Sequence, residues 1–386
     1  MLENASIICF AHDWEGDPTS KTHIMRILAP KNRVLWINSI GMRRPTASSA
    51  DLRRMAAKLR RSFIGCREVR TNLFVANPLV IPLPGSRIAD RLNASLLGVS
   101  IRRLCRRLGM TRPILWTFVP NVNRLVGRLD ERMVVYHCVD EYSAFKGVPR
   151  EATLGMERDL VRRAHVVLTS SETLRDERRP LNRETHHVSH GVDLAHFSTA
   201  LDPATRVPDD LRSLPRPVIG FFGLIADWVD LSLIGDLARS HPEWSVVLIG
   251  KASTDLAPLH GLPNVHLLGR KPYADLPAYC RGFDVGIVPF RMNHLTLRAN
   301  PLKVREYLAA GLPVVSTPMP EVARYEGLVH LATGSEQFTR SVESALRQRS
   351  EAGDRRRMES MRAEGWEARV DQMSEIIERR RQALAS

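Results

Sequence analysis

The stretch RANPLKVREYLAAGLPVVSTPMPEV, Arg298 to Val322, reads as a short helix that runs directly into a buried strand. Asn300 stands where an N-cap belongs, Pro301 fits the first helical turn, and Gly311 fits the C-terminal stop. An apolar strand, FDVGIVPF (283–290), comes before it, and LPVVST (312–317) closes it. The helix start, with the loop RMNHLTLRAN ahead of it, therefore lies at the carboxyl end of a strand. Strands this apolar, without polar alternation, suit a parallel sheet covered on both faces. Strand, helix and strand in succession make a doubly wound α/β domain the expected fold.

The same alternation runs outward in both directions. Ahead of the quoted stretch, PVIGFFG (217–223), WSVVLIG (244–250) and NVHLLG (264–269) read as strands. In the first half SIICF (6–10), RVLWIN (33–38), NLFVAN (72–77), PILWTF (113–118), RMVVYHCV (132–139), HVVLTS (165–170) and HHVSH (186–190) do the same. Helical patterns at 19–29, 86–109 and 151–163 lie between them. The segment 198–217 is rich in Pro, Asp and Ser with no apolar period, and it is expected to be a linker. That gives a Rossmann-like domain over 1–200, a second over 217–354, and closing helices over about 355–386 that pack back on the first. Two such domains form a cleft, with ligands bound outside the carboxyl ends of the strands.

With 386 residues, 44% of them hydrophobic, the chain can bury two cores. It contains no apolar run of about 18 residues, so no membrane-spanning helix is expected. MLENASIICFAHDW lacks a basic leading region and reads as a first strand rather than a signal peptide. Five scattered cysteines, none in CxxC spacing, point to reduced thiols and a cytoplasmic setting, and exclude a disulfide framework or a zinc site. The net charge of +14 is local, since residues 43–112 hold 16 basic and 3 acidic residues. A concentrated basic region points to phosphates, in a nucleic acid, an anionic lipid surface or an anionic substrate.

Lys303 and Glu306 give the quoted helix a chemistry. A helix start offers unpaired N–H groups and a partial positive charge, which favour a phosphate. A first-turn lysine opposes that charge unless a bound diphosphate reverses the sign. Glu306, three residues on, can pair with Lys303 or accept hydrogen bonds from hydroxyls. An ordinary exposed Lys–Glu pair fits the spacing equally well.

NPLKVREYLAAGLPVVSTPMPEV resembles the donor-site segment of GT-B glycosyltransferases, the two-domain enzymes that use nucleotide sugars. SSETLRDERRP…HHVSHGVDLAHF, PVIGFFGLIADWVD and VHLLGRKPYADLPAYCRGFDVGIVPF resemble further segments of the family in the same order. Bacterial transferases that build teichuronic, capsular or other surface polysaccharides are the nearest in character. The resemblance implies that Glu306 bonds the donor ribose, and that Gly223, Arg270, Lys271, Arg298, Asn300 and Lys303 surround the donor. Two features depart from the family. Arg298 stands where many members carry a first glutamate, and Ile225 and Asp227 stand where an arginine and a lysine grip the diphosphate. An arginine at 298 could face a uronic acid carboxylate or the diphosphate itself.

Helix starts and basic side chains can stabilise a departing diphosphate without a metal, and no metal-ligand spacing is evident. In an inverting reaction a carboxylate must take the acceptor's proton. Asp140, at the end of VVYHCVDEYSAF, is the preferred base and Asp13, in AHDWEGDPTS, the second. Glu141 and His190 are candidate acceptor or sugar contacts. DLRRMAAKLRRSF, with its apolar face over 52–63, is expected to dock on an anionic membrane, whereas the apolar side of 101–108 is expected to face the core. These readings converge on a peripheral, cytoplasmic-face transferase with a lipid-linked or growing saccharide acceptor and no nucleic-acid partner. A nucleotide-sugar epimerase of the same architecture, or a non-catalytic or nucleic-acid-binding relative, is the alternative.

Overall fold

The computed structural model describes residues 1–39, 65–78 and 87–384. The basic stretch 52–63, expected to dock on a membrane, lies outside the described residues. The chain divides into two compact units, one of Met1–Ser189 with Arg369–Ser386 and one of His190–Ala368.

The first unit holds an eight-stranded sheet. Its strands are β1 (Ser6–Phe10), β2 (Arg33–Ile37), β3 (Cys66–Arg70), β4 (Leu73–Ala76), β5 (Ile114–Thr117), β6 (Met133–Cys138), β7 (Val166–Thr169) and β8 (Thr185–His187). They lie in the order β3-β4-β2-β1-β5-β6-β7-β8, all parallel except the β3–β4 hairpin. The second unit holds six parallel strands. These are β9 (Val218–Phe222), β10 (Ser245–Ile249), β11 (Val265–Gly269), β12 (Val285–Val288), β13 (Val314–Ser316) and β14 (Val329–Leu331), in the order β11-β10-β9-β12-β13-β14. The central strands β5, β6, β7, β9, β10 and β12 are buried along their whole length, as covering on both faces requires.

Helices α1 (Ser20–Leu28), α2 (Arg87–Arg107), α3 (Arg150–Arg163) and α4 (Glu172–Arg178) belong to the first unit. The second contains α5 (Leu231–Ser240), α6 (Leu276–Gly282), α7 (Leu302–Ala309), α8 (Gly334–Arg347) and α9 (Glu351–Ser360). The last helix, α10 (Trp366–Ala383), leaves the second unit, and from Arg369 it counts with the first. There Asp371 pairs with the N-terminal ammonium and Arg380 with Glu184. Among the described residues no helix is long and apolar enough to cross a membrane. All five cysteines are free thiols.

Three differences from the sequence reading have physical causes. Strand β3, CREVR, is a charged edge strand with no apolar run to reveal it, and a two-residue turn with Asn72 at φ 60° folds it back on β4. Strand β14 has only three residues. The segment 198–217 is packed into the second unit rather than strung as a linker. Leu211 is buried, and a Cβ on Gly282 would lie 2.3 Å from it. Asp210 accepts hydrogen bonds from Lys271 at 2.6 Å and Tyr279 at 3.0 Å, and the Ala200 carbonyl accepts one from Arg281 at 3.1 Å. Single apolar anchors among Pro and Asp give no period, yet they suffice to hold the segment down.

Arg178 ties the interior of the first unit. It pairs with Glu141 at 2.8 Å and Glu157 at 3.2 Å, and Tyr136 donates to Glu157 at 2.7 Å, all four side chains buried. Buried charges persist where partners satisfy them, as here.

Gly220 sits in the middle of β9 because a Cβ there would lie 2.2 Å from the Phe283 ring. Gly220→Ala should therefore cost about 1–3 kcal/mol through overpacking. Denaturant unfolding checks this, as a lower midpoint at unchanged m-value.

Candidate active site

Each sheet has one place where consecutive crossovers leave in opposite directions. In the first unit it lies between β1 and β5, and in the second between β9 and β12. Loops diverge there, and the crevice outside the strand carboxyl ends is where open α/β sheets bind ligands.

In the second unit, β9 ends at Gly223, which has φ 132°. Gly250, at the end of β10 with φ 147°, packs so closely that a Cβ on it would lie 1.8 Å from the Gly223 carbonyl oxygen. Only glycine meets both conditions, the positive φ and the contact. Lys303, in the first turn of α7, lies across Gly223, and a Cβ on Gly223 would sit 2.2 Å from its Cε. Its ammonium stands 5.6 Å from the Phe221 ring centre and 5.7 Å from that of Phe290, so two aromatic faces support the charge. Burial pulls the Lys303 ammonium below the usual lysine range, while Glu306 pulls it back up. Glu306, one turn on, has its carboxyl pushed up to about 7 by burial, against the pull of Lys303, with Asp193 adding to the rise. Both residues are half-buried over the residue as a whole.

The helix start is held from beneath. Arg305 is buried, with Nη1 donating to Asn300 Oδ1 at 2.6 Å, Nε donating to Glu364 Oε2 at 3.4 Å, and the guanidinium lying 5.2 Å from the Tyr325 ring centre. Asn300 in turn donates to Glu321 at 3.3 Å. The expected Asn300 cap is therefore corrected. Pro301 is the N-cap, α7 begins at Leu302, and the Asn300 side chain serves the buried arginine instead. Gly311 does close the helix, with φ 78°.

The remaining donor candidates divide. Arg298, half-buried, donates to the His294 carbonyl at 2.9 Å. Arg270 is exposed after β11. Lys271 is bound to Asp210 at 2.6 Å and rests 5.4 Å from the Tyr279 ring centre, so its charge serves the chain itself. Ile225 is buried in the core and Asp227 is exposed, which leaves that loop without a cation at either place. His190 is buried beside Trp366, the ring centres 6.0 Å apart, and a Cβ on neighbouring Gly191 would lie 2.8 Å from Trp366.

In the first unit, Asp140 follows β6. Burial pushes its carboxyl up to about 6, while the charge of Lys21 pulls it down. Lys21, in the first turn of α1, was not singled out from sequence. Its ammonium stands 6.0 Å from the Phe118 ring centre and 5.8 Å from that of Tyr142. Burial, and then the Lys21 charge, hold His12 and His137 each near a pKa of about 3, so both imidazoles are neutral at pH 7. The Tyr142 hydroxyl, both His137 ring nitrogens, His12 Nδ1 and Trp116 Nε1 are buried with no hydrogen-bond partner. Such groups are rare in folded proteins and concentrate here around one lysine. Asp13 and Glu141 are committed elsewhere. Asp13 Oδ1 accepts from the Ser39 N–H at 3.1 Å, and Glu141 is held by Arg178 and by Ser143 at 2.6 Å. No group of three or more His, Cys, Asp or Glu among the described residues is placed to hold a metal.

Residues 216–348 match the family described as glycosyl transferases group 1. The chain is 28% identical over 231 residues to the Bacillus subtilis (strain 168) protein TuaH, assigned as a glycosyltransferase of teichuronic acid biosynthesis. That match takes in 56% of this chain and 58% of TuaH, a little over half of each. Among solved structures, Anabaena Alr3699/HepE in complex with UDP and glucose is similar with a TM-score of 0.66 at 15% identity, over 97% of this chain and 100% of that one. The catalytic domain of Arabidopsis thaliana starch synthase IV, bound to ADP and acarbose, gives 0.66 at 12%, over 98% and 100%. A UDP-forming trehalose-phosphate synthase of Burkholderia xenovorans gives 0.64 at 14%, over 99% and 100%. At such identities the likeness is one of fold.

Glu306 makes a prediction about pH. Its carboxyl titrates near 7 in the native chain against 4.5 for a free glutamate, so between those values the native state binds more protons. The stabilising contribution is complete below pH 4.5 and is lost as pH rises through about 7. Glu306→Gln should flatten the fall in stability across this window, as measured by denaturant titrations at successive pH values.

Proposed function

We propose that the chain, whose residues 216–348 match the glycosyl transferases group 1 family and whose fold is that of GT-B enzymes, moves a sugar from a nucleotide diphosphate sugar to a saccharide acceptor. The observation that carries the proposal is the Lys303–Glu306 pair at the β9/β12 switch point, laid over Gly223. A diphosphate at the start of α7 meets the first N–H groups of the helix and the Lys303 ammonium. It restores to Lys303 the ionic partner that burial otherwise makes costly, which explains a lysine in a turn that disfavours one. Glu306 accepts the hydrogen bonds of the ribose hydroxyls, and Gly223 lets the backbone approach them. Arg298 contributes to the diphosphate or to the carboxylate of a uronic acid donor.

In the transfer, the acceptor oxygen bonds to the anomeric carbon as the bond to the phosphate oxygen breaks. The nucleoside diphosphate leaves with the electron pair, and Lys303 and the helix start stabilise its charge. An inverting course needs a base for the acceptor proton. Asp140 suits that task, because a carboxyl near 6 is ionised at pH 7 yet still basic. The UDP and glucose of the HepE complex, and the teichuronic acid assignment of TuaH, support a UDP-sugar donor and a surface-polysaccharide acceptor. We place the enzyme at the cytoplasmic membrane face, acting on a lipid-linked or growing chain.

A thermal-shift panel of nucleotide sugars tests the donor site. One donor should raise the melting temperature, and Lys303→Ala and Glu306→Ala should each weaken its binding by about tenfold or more, the scale of a lost charge-assisted hydrogen bond. No stabilisation by any nucleotide sugar, or unchanged affinity in both variants, rejects the site. Asp140→Asn should keep donor binding while lowering transfer by about a hundredfold or more.

A further inference from the structure

Helix α2 has two apolar sides. Ala94, Leu97, Ile101 and Cys105 face the core of the first unit. On the opposite side Leu92, Leu96 and Val99 are 51%, 54% and 39% exposed, three of the nine large apolar side chains left open among the described residues. Arg103 and Arg106 continue the same stripe, at i+11 and i+14 from Leu92, with Arg107 beside them, and all three are exposed. None of the three guanidinium groups makes a hydrogen bond or ion pair with a described residue. No acidic residue stands between Arg91 and Arg107. The stripe is therefore aliphatic over its first two turns and cationic over its last two, a length of about 21 Å from Leu92 to Arg106 at the helical rise.

We propose that this outward face of α2 is a docking surface for an anionic phospholipid bilayer. The aliphatic end enters the boundary between headgroups and acyl chains, and the arginines stay at the phosphates. Charge complementarity selects this occupant, since unpaired guanidinium groups want phosphates while the leucines want an apolar phase beside them. A nucleic acid supplies the first without the second. The inference deepens the membrane-side part of the proposed function and rests on it for its purpose. Helix α2 carries none of the donor-site residues.

The test is sedimentation of the full chain with vesicles of phosphatidylcholine alone and of phosphatidylcholine mixed with phosphatidylglycerol. The wild-type chain should bind the mixed vesicles, less so as salt rises, and leave the neutral ones in solution. Leu92→Ser/Leu96→Ser/Val99→Ser should lower the partition coefficient by at least about tenfold. Arg103→Gln/Arg106→Gln/Arg107→Gln should lower it by on the order of a hundredfold and weaken the salt dependence. Each substituted side chain is exposed, so both variants should melt as the wild type does and give the same nucleotide-sugar shift. Wild-type partitioning by either variant overturns the proposal, as does retention on nucleic acid with no vesicle binding. Vesicle binding by a chain that no nucleotide sugar stabilises would leave this proposal standing while rejecting the donor reading.

Discussion

Parallel strands cannot be joined by tight turns, so each pair needs a crossover that returns the chain to the same end of the sheet. In a sheet that grows in both directions from an inner strand, this forces one gap where neighbouring crossovers diverge. Both units of this chain obey the constraint, at β1/β5 and at β9/β12. Most of what is chemically unusual in the molecule lies at those two gaps. There the strand ends are buried, a helix begins just above them, and polar groups can be held without being fully enclosed.

The two gaps are furnished alike. Each has a lysine in the first turn of a helix, two aromatic rings beneath it, and a carboxyl that burial has pushed up. Lys21 and Asp140 fill these places in the first unit, Lys303 and Glu306 in the second. A first-turn lysine works against the helix dipole, and burial lowers its affinity for a proton. Two such residues beside the switch points, one on the helix after β1 and one on the helix after β12, are costly to folding, a pattern expected where binding geometry is preserved at the expense of stability. At the second gap, Arg305, Asn300 and Glu364 anchor the helix that carries the lysine, so its start is positioned by buried bonds rather than by a cap.

The sheets were legible because buried parallel strands are mostly continuous apolar runs, and twelve of the fourteen strands were read from the sequence, all but the polar β8 from such runs. Those that were not, CREVR and VHL, are a charged edge and a three-residue strand, where neither length nor period carries a signal. The Lys303–Glu306 pair was visible because both residues lie within one helix start. Lys21 carried the same first-turn signal, but its partners Phe118, Asp140 and Tyr142 come from three other segments, and only the fold assembles them. Asn300 and Lys271 have partners in the chain that were hidden for a related reason. Their types suit a ligand, but buried Arg305 holds the one and exposed Asp210 pairs with the other, and no spacing rule shows that competition. The boundary at Ser189/His190 was hidden because the Pro- and Asp-rich segment after it is pinned by single residues such as Leu211.

The central claim is that the opening turn of α7 is a diphosphate site. A crystal structure of the chain grown with a saturating nucleoside diphosphate tests it most directly. The account predicts phosphate oxygens within hydrogen-bond distance of Lys303 Nζ and the first N–H groups of α7, with a ribose hydroxyl against the Glu306 carboxylate. A nucleotide held elsewhere, with Lys303 and Glu306 closed on each other and on no ligand, would contradict it.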